Sequence, residues 1–323
     1  MCTAISKARF SCLLLNLGIF LGFIMPLYVV SQELEPRSRV NLPRNLNFIA
    51  AGYAYASGNV LLDASLPLED FNSKINTIIL AYVRSVNFFG KSGKVDAVIP
   101  FAGGDYTGVF EGSGFEDSYT GFGDLRLRFS VNLTGAPSLK PEEFASFTPK
   151  TITGLSVQLI LPTGNYNSEQ LPNLGANRWS IRGIYGISHS FKKWFLEGHA
   201  GVWIFTPNNN FFVDNKLTQS ALWVVKGDLT RSFNKEGMWL AFSMGYAYGG
   251  ETSINDIERD VRISQLRLGL TYALPFGRKH TLKFVVGSGI RFQQGSDFDV
   301  VSVGYQYRWL DKIRTKDKAG TKK

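Results

Sequence analysis

Between residues 121 and 135 the chain reads GFGDLRLRFSVNLTG, and alternate positions from Leu125 are apolar: Leu125, Leu127, Phe129, Val131 and Leu133. The interleaved positions are Asp124, Arg126, Arg128, Ser130 and Asn132. A period of two predicts a β-strand with one apolar and one polar face. The same alternation recurs in Leu266, Leu268, Leu270 and Tyr272 against Gln265, Arg267, Gly269 and Thr271, and in Leu282, Phe284, Val286 and Ile290 against Lys283, Val285, Gly287 and Arg291. Twelve such segments are predicted, near residues 45–57, 74–89, 93–106, 119–133, 151–163, 178–190, 194–206, 219–232, 238–249, 262–274, 280–291 and 298–309.

The links between them alternate in length. Short links at residues 90–92, 191–193, 234–237 and 275–279 are interleaved with longer polar loops at 58–73, 107–118, 164–177, 207–218 and 250–261. Residues 136–150 stand where a short link is due, and Pro141 ahead of Glu142, Glu143 and Phe144 predicts a first helical turn there. Short turns at one end, long loops at the other and an even strand number are the arrangement of a bacterial outer-membrane barrel, in which the apolar faces meet lipid and the polar faces line a lumen. The predicted fold class is therefore an all-β, antiparallel transmembrane barrel. Tyr53, Tyr55, Phe88, Phe89, Trp179, Trp194, Tyr246, Tyr248, Tyr305, Tyr307 and Trp309 gather near strand ends, where an interfacial girdle places them. Arg84 shares a face with Ile78, Leu80 and Tyr82, a placement that asks for snorkelling to an interface.

The start of the chain changes the picture in one respect. Lys7 and Arg9 precede an apolar run from Phe10 to Val30, and Val29, Val30 and Ser31 offer compact residues for cleavage, the pattern of a secretion signal over residues 1–31. The competing reading is a retained membrane helix, since the run is long enough to span. Cys2 and Cys12 both fall in this leader, and Cys12 follows no lipobox, so the mature chain is expected to hold neither thiols nor disulfides. Without Lys7 and Arg9 the 35 basic residues fall to 33 against 26 acidic ones, a net charge of +7. In an exported chain without a nucleic-acid motif, this surplus favours a basic pore or an anionic membrane surface over nucleic acid. The expected organisation is a signal peptide at 1–31, an N-terminal segment at 32–44 lying at the periplasmic mouth or entering the lumen as a short plug, a barrel at 45–310 and a basic tail at 311–323.

The polar faces assign to the lumen Lys94, Arg126, Arg128, Arg178, Arg182, Lys226, Arg267, Lys283, Arg291 and Arg308, against Asp96, Asp124, Glu197 and Asp228. Ten basic residues facing four acidic ones form either an ion-paired filling of a narrow barrel or a pathway favouring anions. No cofactor and no metal set is expected: His189, His199 and His280 have no zinc-ligand spacing, and His199 alternates in phase with Glu197. Adjacent His189 and Ser190 invite comparison with outer-membrane phospholipases, but neighbours on a strand point to opposite faces. No enzymatic activity is expected.

Gly121-Phe122-Gly123-Asp124 with Arg126 and Arg128 resembles the outer-membrane barrel family described as "putative MetA-pathway of phenol degradation". Further matching pieces are Glu35-Pro36-Arg37, Leu46-Asn47-Phe48, Gly52-Tyr53, Leu66-Pro67, Glu69-Asp70, Lys94-Val95-Asp96, Asn132-Leu133, Gly135-Ala136-Pro137, Asn177-Arg178-Trp179-Ser180, Asp297-Phe298-Asp299 and Tyr307-Arg308-Trp309. The resemblance implies an outer-membrane location and a transporter, without naming a solute. The expected function is passage of small aromatic or amphipathic solutes through an anion-preferring lumen; the other reading is a non-transporting structural or lipid-binding barrel. Outer-membrane lipids, a small solute and the barrel-assembly machinery are the expected partners. The last of these would read the closing strand, where Gly304, Tyr307 and Trp309 resemble an assembly signal; a plain girdle explains Tyr307 and Trp309 equally well.

Overall fold

A computed structural model describes residues 35–60, 68–110, 113–148, 151–170, 173–212, 214–233, 237–258, 262–291 and 296–311. The expected signal peptide, residues 32–34 and nearly all of the basic tail lie outside the described residues. In chain order the first elements are β1 (Leu46–Val60), β2 (Leu68–Phe88), β3 (Lys91–Phe110), β4 (Ser113–Phe122), β5 (Leu125–Thr134), the four-residue helix α1 (Pro141–Phe144), β6 (Thr151–Leu161), β7 (Ser180–Phe191) and β8 (Trp194–Phe205). They are followed by β9 (Asn208–Phe211), β10 (Asn215–Gln219), β11 (Leu222–Ser232), β12 (Trp239–Gly249), β13 (Thr252–Ile254), β14 (Ile257–Glu258), β15 (Ile263–Phe276), β16 (His280–Arg291) and β17 (Ser296–Leu310).

β4 and β5 pair in succession with β3 and act as two halves of one wall strand, so the wall has twelve strands. β1 pairs antiparallel with both β2 and β17, and β2 with β3, which closes the sheet on itself. Closure gives the wall strands partners on both edges, as hydrocarbon demands, apart from the outer half-strand β4, which pairs with β3 alone. No helix among the described residues is long and apolar enough to cross a membrane; the crossing is made by strands.

Burial is inverted relative to a water-soluble domain. Leu80, Val157, Ile204, Trp223 and Val301 are exposed, whereas Glu197, Asp228, Thr230, Ser243 and Gln265 are buried. The apolar band meets lipid and the polar residues meet one another inside. Arg84 lies on the lipid face at the periplasmic rim, where its guanidinium is 2.6 Å from the Asp311 carboxylate and donates to Asn47 Oδ1 at 2.9 Å. Beside it Tyr82, Tyr307, Trp309 and His280 form part of an aromatic rim, with Tyr307 and Trp309 stacked at 5.7 Å. Gly304 lies opposite Gly52 across the closing seam.

Three features differ from the sequence reading. The fourth strand breaks at Gly123 and Asp124, and the wall strands β1 to β4 extend well beyond the expected boundaries into long outer hairpins. The outer loops at 207–218 and 250–261 contribute a separate four-stranded sheet, β14-β13-β10-β9. Its strands are two to five residues long, too short to show a period of two. The expected helical turn is α1, with the Lys140 N–H donating to the Glu143 carboxylate at 2.8 Å.

Gly135 leaves β5 at φ +72°, and a Cβ there would collide with the Thr151 carbonyl. Gly135→Ala should therefore lower stability by about 1–3 kcal/mol, read as the thermal midpoint in detergent. Gly183→Ala is the control, because a Cβ added there, on the lipid face, meets no heavy atom within 4 Å. Equal midpoints for the two variants would contradict the turn geometry.

Candidate functional site: a plugged cationic lumen

Period-two alternation delivers charged side chains to the lumen, and register then decides which of them meet. Asp96 on β3 stands opposite Arg128 on β5, and Arg128 Nε lies 2.9 Å from Asp96 Oδ2. This is a favourable cross-strand pair. Asp228 on β11 stands opposite Glu197 on β8, two buried carboxylates side by side. Like charges so placed are destabilising unless other groups compensate. Lys226 Nζ lies 3.0 Å from Asp228 Oδ2, and Ser243 donates its hydroxyl to the same carboxylate. The partner of Glu197 comes from elsewhere in the chain: the main-chain N–H of Arg39 donates to its Oε1 at 2.8 Å.

That contact belongs to residues 35–44, which run inside the barrel from the periplasmic end upward. At the base, Arg44 donates to Ser138 O from Nε at 2.9 Å and Nη2 at 2.6 Å, and Asn41 Nδ2 donates to Pro137 O at 3.2 Å. The connection carrying α1 thus braces the plug from below. Higher up, Arg37 lies over Phe195 and Trp239 at 5.7 Å from each ring centroid. Arg39 Nη1 donates to Leu155 O at 3.2 Å, Ser38 Oγ lies 3.3 Å from His199 Nε2, and Lys94 donates to Ser38 O. At the top, Lys226 donates to Glu35 O at 2.8 Å, and the Glu35 carboxylate lies 3.2 Å from Arg128 Nη2 and 3.9 Å from Lys283 Nζ.

Glu35 is enclosed by the barrel, yet its carboxylate stays open to the lumen. Burial alone would raise its pKa, but Arg128, Lys283 and Lys94 together hold it at about 2. Beside the upper part of the plug lies a cavity of about 140 Å³ lined by Arg39, Lys94, Arg126, Arg128, Arg182 and Lys226 against Glu35 and Asp96. Six cations face two carboxylates there, an excess of four. Farther up, Arg182 stacks over Trp203 at 5.3 Å, and Arg178 over Phe205 at 4.6 Å while donating to Gln219 Oε1 at 2.6 Å. Arg267 donates to Gln265 Oε1 at 3.0 Å.

Two lumen assignments need correction. Asp124 does not serve as a lumen counter-charge: it sits in the break between β4 and β5, where its carboxylate accepts the N–H groups of Gly164 and Ala176 at 2.9 Å each and clips an outer loop. Arg308 has the lumen parity but the wrong depth, because it lies at the periplasmic rim and donates to Arg278 O at 3.1 Å. The side chain of Arg291 lies outside the described residues. The sequence reading missed Arg37, Ser38 and Arg39, which sit in an aperiodic segment, and Gln158, whose even position on β6 already marked it as lumen-facing.

Glu197, His199 and Asp228 bring donor atoms within 4.8 Å of one another. Lys226 and the Arg39 N–H already occupy this set, and Lys94, Arg39 and Arg182 surround it with positive charge. Lys226 and the Arg39 N–H thus meet Asp228 Oδ2 and Glu197 Oε1, while Glu197 Oε2 is buried with no hydrogen-bond partner among the described residues. His189 donates to or accepts from Thr151 Oγ1 at 2.8 Å on the outer surface, away from the lumen.

Because the folded pKa of Glu35 is depressed, its anchoring contribution is full above about 4.5 and is lost as pH falls towards about 2. The thermal midpoint of the native chain should exceed that of Glu35→Gln at pH 7 and converge with it near pH 2. A gap that closes near pH 6 would contradict the assignment.

The barrel is similar to an outer membrane channel from Pseudomonas putida F1, at 20% identity and a TM-score of 0.70, over 85% of this chain and 100% of that one. It is more distantly similar to the β domain of the Bordetella autotransporter BrkA, at 11% identity and a TM-score of 0.46, over 81% of this chain and 99% of that one. No curated protein matches the sequence. The family model described as "Putative MetA-pathway of phenol degradation" matches residues 51–309, which span the wall from β1 to the aromatic end of β17, and this chain of the bacterial outer membrane belongs to that family.

Proposed function

We propose that the barrel is a narrow, anion-preferring channel for small solutes, including aromatic and amphipathic ones. The observation that carries this reading is the cavity beside the plug, where four arginines and two lysines face two carboxylates. Fixed positive charge between low-dielectric walls raises the local anion concentration and lowers that of cations. Ion pairing inside the lumen is extensive, at Arg128 with Asp96 and Glu35 and at Lys226 with Asp228, but the carboxylates are fewer than the cations, so a positive surplus remains after pairing. The plug narrows the path, so small unitary conductance goes with this reading. A solid, lipid-binding barrel has less support, because a structural filling gains nothing from surplus charge of one sign.

Replacing Arg126 and Arg128 together by Gln removes two of the six cavity cations. In planar bilayers under a salt gradient the reversal potential should move towards cations relative to the native chain. An unchanged potential would contradict the proposal by placing these side chains off the path. Loss of conductance in the native chain would contradict it outright.

A further inference from the structure

The Glu35 carboxylate is the chain's own anion in the cationic lumen, and it sits between two unlike chambers. One is the cavity lined by Arg126, Arg128, Arg182, Lys94 and Lys226. The other, of about 240 Å³, also touches Glu35 and Arg126 but opens against the opposite wall, where β1, β2, β16 and β17 present Ala50, Gly52, Ile79, Ala81, Val285 and Gly304. Ser302, Gln306 and Thr271 also line this chamber, and the small Ala and Gly side chains leave its space open. Lys283, on β16, projects from the apolar wall and lies 3.9 Å from Glu35. A single carboxylate position is thus reached by Arg128 from one wall and Lys283 from the other, with an apolar space directly adjoining.

We propose that this cradle is a binding site for carboxylates carrying an apolar or aromatic body, and that Glu35 occupies it as an intramolecular stand-in for the ligand's head group. The head would replace the Glu35 carboxylate between Arg128 and Lys283, and the body would enter the chamber formed by Ala50, Ile79, Ala81 and Val285. The inference rests on the channel reading only for how the ligand arrives; binding itself does not need conduction. A tethered carboxylate competes at an effective concentration on the order of millimolar, so a bare carboxylate gains little by displacing it. A ligand with an apolar body gains the burial of that body in addition. Selectivity for amphipathic acids over simple ones follows from this competition.

The test is titration of the detergent-folded chain with 3-phenylpropionate by calorimetry, with acetate and 3-phenylpropanol as controls and heat-modifiable gel migration to confirm a formed barrel. The native chain should bind 3-phenylpropionate and neither control at the same concentrations. Glu35→Gln removes the competitor and should tighten binding roughly tenfold or more. Ala50→Phe fills the apolar chamber and should weaken binding by a similar factor. Acetate binding as well as 3-phenylpropionate, or affinity unchanged in Glu35→Gln, would overturn the proposal. Binding without anion-selective conductance would defeat the channel reading and leave the site standing; selective conductance without binding would do the reverse.

Discussion

A strand crossing hydrocarbon cannot leave its backbone N–H and C=O groups unpaired, since each costs several kcal/mol there. Pairing of β1 with β17 over the full run from Leu46↔Leu310 to Val60↔Ser296 is the contact that removes the last open edge. Once the sheet is closed, alternation has only two destinations. Leu80, Val157 and Trp223 face lipid, and Arg128, Glu197 and Asp228 have nowhere to go but the lumen. The charged interior is thus a consequence of closure combined with sequence.

A lumen so charged must then settle its electrostatics within the chain. Arg128 with Asp96 does so directly across one ladder, whereas Asp228 beside Glu197 cannot. The plug resolves that conflict with a main-chain N–H from Arg39 and adds Glu35 at the height where cations are most concentrated. The segment that narrows the path is therefore also what makes the wall's charge pattern tolerable. Its lower end is held by Arg44 against Ser138, on the connection carrying α1, so the aberrantly long periplasmic link has a structural purpose.

The wall was largely legible in the sequence, because a period of two encodes face directly. Arg126, Arg128, Lys226 and Lys283 all take the face their parity assigns. Depth was not legible: parity placed Arg308 on the lumen side, but only the structure puts it at the rim beside Arg278. Breaks were not legible either, which is why parity carries Asp124 into a strand that in fact ends at Phe122. Residues 35–44 hold the plug through long-range contacts to Glu197, His199 and Leu155, and no local pattern announces such partners. The outer sheet of β9, β10, β13 and β14 is built from strands too short for periodicity.

The sign of the zero-current potential of the native, full-length chain in a bilayer separating concentrated from dilute potassium chloride bears most directly on the account. A lumen with surplus fixed positive charge predicts a potential of the sign set by chloride diffusion, strongest at low salt, where screening is weakest. A potential of the sign set by potassium would contradict the account, because no arrangement of the arginines and lysines around Glu35 would then govern the path.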